Sequence, residues 1–103
     1  MPKFIFAYHG GSMPDTPEEG AKVMAAWTSW YGEMGAAVDD GGAPCGASQT
    51  VTSGGVEAGG GSNPLSGYTT VNAATMDAAI ALAKGCPILD AGGSVEVCEC
   101  MEM

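Results

Sequence analysis

Apolar residues recur along this chain with two periods, and the switches between them divide it into strands and helices. From Lys3 to Tyr8 the run KFIFAY places Phe4, Phe6 and Tyr8 on alternate positions with Ile5 and Ala7 between them. Neither side is designed for water, so the segment predicts an interior strand. After the turn HGGSMPD, Thr16-Pro17-Glu18-Glu19 marks a helix start. Thr16 caps, Pro17 takes the first helical position, and Glu19 completes a capping box at the positive end of the helix dipole. Val23, Trp27, Trp30, Tyr31 and Met34 then recur at helical spacing and predict one stripe packed on a sheet, with Gly32 and Gly35 marking its end.

Between residues 36 and 63 the composition shifts to Gly, Ser, Ala and short β-branched runs. A second strand is predicted from Ala47 to Thr52, preceded by a short extended piece at Ala36 to Val38. The tract SGGVEAGGGSNP, residues 53–64, holds too little apolar surface to offset its backbone entropy and predicts a mobile loop. It is no phosphate cradle, because such a loop opens directly into a helix and this one runs into Pro64 and another strand.

The third strand covers Tyr68 to Asn72. A second helix follows, with Thr75 as cap, Asp77 in the first turn, a stripe of Met76, Ala79, Ile80 and Ala83, and a stop at Lys84, Gly85 and Cys86-Pro87. Residues 94–101 form the closing strand. One of its sides carries Val95, Val97, Glu99 and Met101, and the other Glu96, Cys98, Cys100 and Glu102.

The order βαββαβ predicts one α+β domain, residues 1–103, in which two helices cover one face of a single antiparallel sheet, the ferredoxin-like arrangement. The other face is left uncovered. Its strands still carry apolar residues, so a second copy is expected to cover it, making a homodimer.

Charge and cysteine content narrow the partners. Lys3, Lys22 and Lys84 face twelve carboxylates, and the net charge of −9 repels phosphate backbones and anionic membrane surfaces. No nucleic acid and no membrane partner is expected, and no run is apolar for long enough to span a bilayer. Cys45, Cys86, Cys98 and Cys100 do not form the dense framework of a secreted domain, so reduced thiols and a cytoplasmic location are expected. The C-x-C pair Cys98 and Cys100 lacks the paired spacings of zinc sites. No metal and no cofactor is predicted.

The strand MPKFIFAY, the aromatic first helix, the strand GYTTVNA, the helix TMDAAIALAKGCP and the final strand SVEVCECMEM together resemble the YCII-related family. That resemblance covers nearly the whole chain and implies the dimeric α/β-barrel form of the ferredoxin-like fold. Many members of one branch carry Asp-Gly-Pro-Phe before the third strand, where this chain reads VEAGGGSNPLSGY. For some members a His-Asp pair has been proposed as the catalytic unit, the histidine lying on the first helix. The corresponding stretch here, Met24 to Thr28, has no histidine, while Asp39 or Asp40 matches the aspartate.

His9, the only histidine, ends the first strand and is suited to proton transfer near neutral pH. It reads either as a strand-end histidine or as a general base oriented by Asp39 or Asp40. Asp39 and Asp40 precede Gly41-Gly42, where they equally serve a turn. Glu96 on the closing strand and Tyr68 at the start of the third strand are candidate pocket residues. Trp27 lines either an apolar ligand site or the core. The expected function is a small dimeric module that binds a small, mostly apolar organic molecule. The alternative is a cofactor-independent enzyme of the isomerase or lyase type using His9 with Asp39 or Asp40.

Overall fold

The computed structural model describes residues 1–102; Met103, the end of the expected domain, lies outside the described residues. The first strand, β1 (Lys3–His9), is interior, as its two-sided apolar pattern requires. It is flanked by β5 (Leu65–Asn72) and β6 (Ser94–Cys100), and β2 (Val38–Pro44) lies beyond β5. The order across the sheet is β2-β5-β1-β6, and every neighbouring pair is antiparallel.

Strand alternation sorts the side chains into two faces. Phe4, Phe6 and Tyr8 of β1 and Val71 of β5 are buried beneath the helices, joined by the half-buried Val95 and Val97 of β6. Helix α1 (Pro17–Met34) starts as its capping residues dictate: Thr16 Oγ1 accepts a hydrogen bond from the Glu19 amide at 3.1 Å. The Glu19 carboxylate reaches one residue further back than a capping box requires and accepts from the Asp15 amide at 3.3 Å. The helix ends at Gly35, whose φ of 53° suits a residue without Cβ.

Trp30 and Met34 carry the buried side of α1, whereas Val23, expected in the same stripe, is 39% exposed. Helix α2 (Met76–Ala83), capped by Thr75, presents Ala79 and Ala83 to the sheet. Met76 and Ile80 of its expected stripe face outward at 41% and 37% exposure. The two small alanines let this short helix sit close to the aromatic layer. Phe6 and Trp30 stack with ring centroids 6.1 Å apart, and Trp30 Nε1–H donates to the Leu82 carbonyl at 3.0 Å, tying the helices together.

The second strand of the sheet is not where local sequence puts it. Residues 38–44 fill that position, and the expected strand at Ala47 to Thr52 contributes β3 (Gln49–Thr52), which pairs only with β4 (Gly55–Ala58) in a separate hairpin. The expected loop of residues 53–64 therefore contains a strand. Thr50, Val51, Thr52 and Val56 supply β-branched residues on both sides of the two-residue turn Ser53-Gly54, enough for a local hairpin despite the surrounding glycines. Asp39-Asp40-Gly41-Gly42 reads as a turn, but pairing with β5 draws it into the sheet as an irregular strand with register shifts around Asp40. Gly42 makes that path feasible. Its φ is 71°, and a Cβ there would overlap the Tyr68 carbonyl oxygen.

Candidate functional site

Among the described residues, no helix or strand covers the face of the sheet opposite the helices. Across it, side chains from three strands line up in rows set by the register. Asn72, Lys3 and Cys100 form one row, Thr70, Ile5 and Cys98 the next, and Tyr68, Ala7 and Glu96 a third. Ala7 is the smallest member of its row, between Tyr68 and Glu96.

His9 closes the end of this face. Its Nε2 lies 3.0 Å from Glu96 Oε1, and its Nδ1 lies 3.1 Å and 3.2 Å from the carbonyl oxygens of Asn63 and Pro64. Carbonyl oxygens only accept, so Nδ1 carries a proton. With Nε2 facing a carboxylate, the imidazolium satisfies all three contacts at once. The Glu96 carboxylate accordingly raises the His9 pKa above its ordinary value; partial desolvation opposes this, and the Pro64 and Asn63 carbonyls add to it. The imidazole is held firmly, at 12% exposure, while the Glu96 side chain is 62% exposed. Beside it, β5 bulges: Tyr8 pairs with Gly67 and His9 with Leu65, leaving Ser66 as the extra residue. The Ser66 hydroxyl is buried with no hydrogen-bond partner among the described residues.

Asp39 sits at the far corner of the same face. Its Oδ2 lies 3.2 Å from Lys3 Nζ and accepts from the Thr70 hydroxyl at 3.0 Å. The Thr70 hydrogen bond first, and the Lys3 ammonium next, hold its carboxyl below the usual carboxylate value. Lys3 and His9 lie at opposite ends of β1, roughly 20 Å apart at strand rise. Asp39 therefore does not orient His9. Asp40 does not either, since its Oδ1 accepts from the Gly42 amide at 2.8 Å and shapes the local turn. The structure brings His9, Glu96 and Tyr68 to one end of the open face and leaves both aspartates out of that group.

Trp27 is on the other side of the sheet. Its ring meets Tyr8 edge-on at 5.2 Å and lies 5.6 Å from Trp30 and 6.0 Å from Tyr31. Beneath this aromatic layer runs a hydroxyl network that sequence reading missed. Tyr8 OH donates to Thr69 Oγ1 at 2.6 Å, Thr69 donates to the Gly41 carbonyl at 3.1 Å, and Tyr31 OH lies 3.0 Å from Thr69 Oγ1 and 3.2 Å from the same carbonyl. Thr69 is fully buried, and burial pushes the Tyr8 phenol well above its ordinary pKa. The network ties α1 and β1 to the irregular turn of β2. The only hint of it in the sequence is polar Thr69 on the apolar side of its strand.

Cavities lie elsewhere. One of about 580 Å³ is formed between Met1 to Lys3 and Glu99 to Glu102. Another of about 140 Å³ lies between the helices beside Trp30 and Leu82. Neither includes His9, Glu96 or Tyr68. Among the described residues, no three His, Cys, Asp or Glu side chains converge to hold a metal ion, and no helix is long and apolar enough to cross a membrane. Comparison of the chain with protein-family models and with curated proteins finds no match.

Proposed function

We propose that this chain is a cytoplasmic homodimeric module that binds a small, mostly apolar organic molecule, built as a YCII-related, ferredoxin-like dimeric α/β barrel. The observation that carries this reading is the uncovered sheet face, with its row Tyr68, Ala7 and Glu96 closed off by His9. The strand order β2-β5-β1-β6, with the β3-β4 hairpin set aside, supports the ferredoxin-like assignment. The chain measures 43 × 43 × 18 Å, the thickness of one sheet and one helix layer, and a second copy on the bare face would supply the missing layer.

In such a dimer the space over Ala7 becomes enclosed. Ile5 and Ala7 form an apolar floor, and Tyr68, Glu96 and His9 supply a few directed polar groups, the composition of a small-molecule site. Multi-angle light scattering at micromolar concentration should give the mass of a dimer. Amide chemical shifts at Ala7, Tyr68 and Glu96 should respond when apolar fragments are added. A folded monomer at micromolar concentration would overturn the dimer, and fragments that move only other residues would overturn the binding site.

A second reading, cofactor-independent proton transfer, draws on the His9–Glu96 pair. Because both ring nitrogens face acceptors, His9 in this arrangement is a proton donor, a general acid rather than the base that an aspartate dyad would make it. Under this reading His9→Asn abolishes turnover of any substrate while the fold persists, and full activity of that variant would remove it.

A further inference from the structure

Residues 45–64 form an arm outside the four-stranded sheet. Its tip is the β3-β4 hairpin, which pairs only with itself and whose cross-strand valines, Val51 and Val56, are exposed. The two legs of the arm are tied to each other, since the Gly59 amide donates to the Ser48 carbonyl at 2.9 Å and Thr50 Oγ1 donates to the Gly59 carbonyl at 2.6 Å. One leg is fixed to the sheet by the Cys45 amide, which donates to the Ser66 carbonyl at 3.0 Å. The other, residues 59–64, begins with three glycines and runs into β5 just before its bulge. Among the described residues, its only hydrogen bonds to the sheet are those from His9 Nδ1 to the Asn63 and Pro64 carbonyls. These contacts depend on the charge of the ring. The imidazolium donates from Nδ1 to the carbonyls and from Nε2 to Glu96. A neutral imidazole keeps one N–H. With that proton on Nδ1, the Nε2 lone pair faces the Glu96 carboxylate; with it on Nε2, the Nδ1 lone pair faces two carbonyl oxygens. Neither tautomer satisfies both sides.

We infer that His9 is a pH-operated pin: protonated, it holds the arm of residues 45–64 to the sheet, and on losing its proton it releases the 59–64 leg. Neither a ligand nor a second copy of the chain enters this reading. Glu96, on β6, is the ionisable group that bonds the ring. Around it, β5 contributes Tyr68, the segment after β1 contributes Asp15, and the turn before β6, whose Gly93 approaches the His9 carbonyl, contributes Asp90. None of these three bonds the imidazole, and residues 59–64 hold no ionisable side chain. Because the Glu96 carboxylate raises the His9 pKa, the arm is held below the ordinary histidine value of about 6.5 and released only as pH rises through the higher folded value. The leg that comes free is the glycine-bearing one, and the amide of Cys45 on the other leg remains as the hinge.

The test is backbone ¹⁵N relaxation of the unaltered protein between about pH 5.5 and 9, a range that brackets histidine titration and leaves carboxylates ionised. Order parameters of residues 49–58 should fall from about 0.85 to below about 0.6, with the midpoint of the imidazole's own titration, while those of β1 stay high. In His9→Asn the arm should be mobile at every pH. Glu96→Gln should do the opposite: its side-chain amide can donate to Nε2 as well as accept from it, so a neutral ring with its proton on Nδ1 satisfies both sides and the arm stays ordered across the range. Order at 49–58 that does not change with pH in the unaltered protein overturns the pin. So does a loosening that persists in His9→Asn, or that keeps its midpoint in Glu96→Gln. Should His9→Asn fail to fold, the unaltered protein and Glu96→Gln decide the question between them.

Discussion

His9 Nε2 lies 3.0 Å from Glu96 Oε1 although 87 positions separate the two residues. The contact exists because β6 returns alongside β1 in an antiparallel register that sets Glu96 against Ala7 and Ser94 against His9. Diagonal neighbours on one face of such a pair are within reach of long side chains. A histidine that local sequence leaves without a partner thus acquires a carboxylate from the far end of the chain.

Because the His9 pKa is raised on folding, the pair stabilises the native state while the imidazole is protonated in both states, and that contribution is lost as pH rises through the folded value. Below about pH 6.5, the ordinary histidine value, Glu96→Gln should lower stability by about 0.5 kcal/mol, and the difference should shrink as pH rises through the folded His9 value. Proton NMR titration of the imidazole checks the cause directly: its pKa should fall in the variant. An unchanged titration would mean that the contact does not persist in solution.

Thr69 accepts from Tyr8 and donates to the Gly41 carbonyl, so Thr69→Val keeps the volume and leaves a buried phenol without its acceptor. The expected cost is about 1–3 kcal/mol in urea unfolding. Adding Tyr8→Phe removes the stranded hydroxyl, and the double variant should be less destabilised than the sum of the two single variants by about 1 kcal/mol. Strict additivity would show that the two hydroxyls do not depend on one another.

Gly42→Ala should be among the most damaging substitutions at an exposed position. It adds a Cβ at φ 71° and drives it into the Tyr68 carbonyl, so β2 must leave β5 or shift its register. The backbone preference alone costs about 1 kcal/mol, and the clash adds to it. Amides of residues 38–43 should lose protection from hydrogen exchange while those of β1 keep theirs. Retained protection along β2 would contradict the register described here.

Cys45, Cys98 and Cys100 are exposed, whereas Cys86 is 2% exposed and burial pushes its thiol up to about 11. At pH 8 a disulfide reagent should label Cys45 in the native protein, reach Cys98 and Cys100 on the bare face only where the monomer predominates, and reach Cys86 only on unfolding. Rapid labelling of Cys86 without denaturant would show that the core beneath α2 opens readily.

Like-charged copies repel, and salt screens that repulsion over a Debye length that shrinks from about 10 Å at 0.1 M to about 3 Å at 1 M. The proposed dimer, formed from two chains of net charge −9, should therefore tighten as sodium chloride is raised. Sedimentation equilibrium across that range measures the slope, and dissociation by salt would point to ion pairs at the interface instead.

What the chain determines locally is what depends on neighbours a few residues away. The Thr16 and Thr75 caps fix the start of each helix, and the alternation Phe4, Phe6, Tyr8 makes β1 interior, because cap geometry and strand period act within a turn or a pleat. His9, Tyr68 and Glu96 could each be singled out, but not their convergence at one end of one face, nor the separation of His9 from Asp39. Tertiary structure decided those points, along with the identity of the second sheet strand. Asp39-Asp40-Gly41-Gly42 has the chemistry of a turn, and only the β5 edge, with Thr69 and Tyr31 reaching the Gly41 carbonyl, draws it into the sheet. Hydrogen-bonding groups far apart in sequence cannot be paired by local preference; the register of the sheet pairs them.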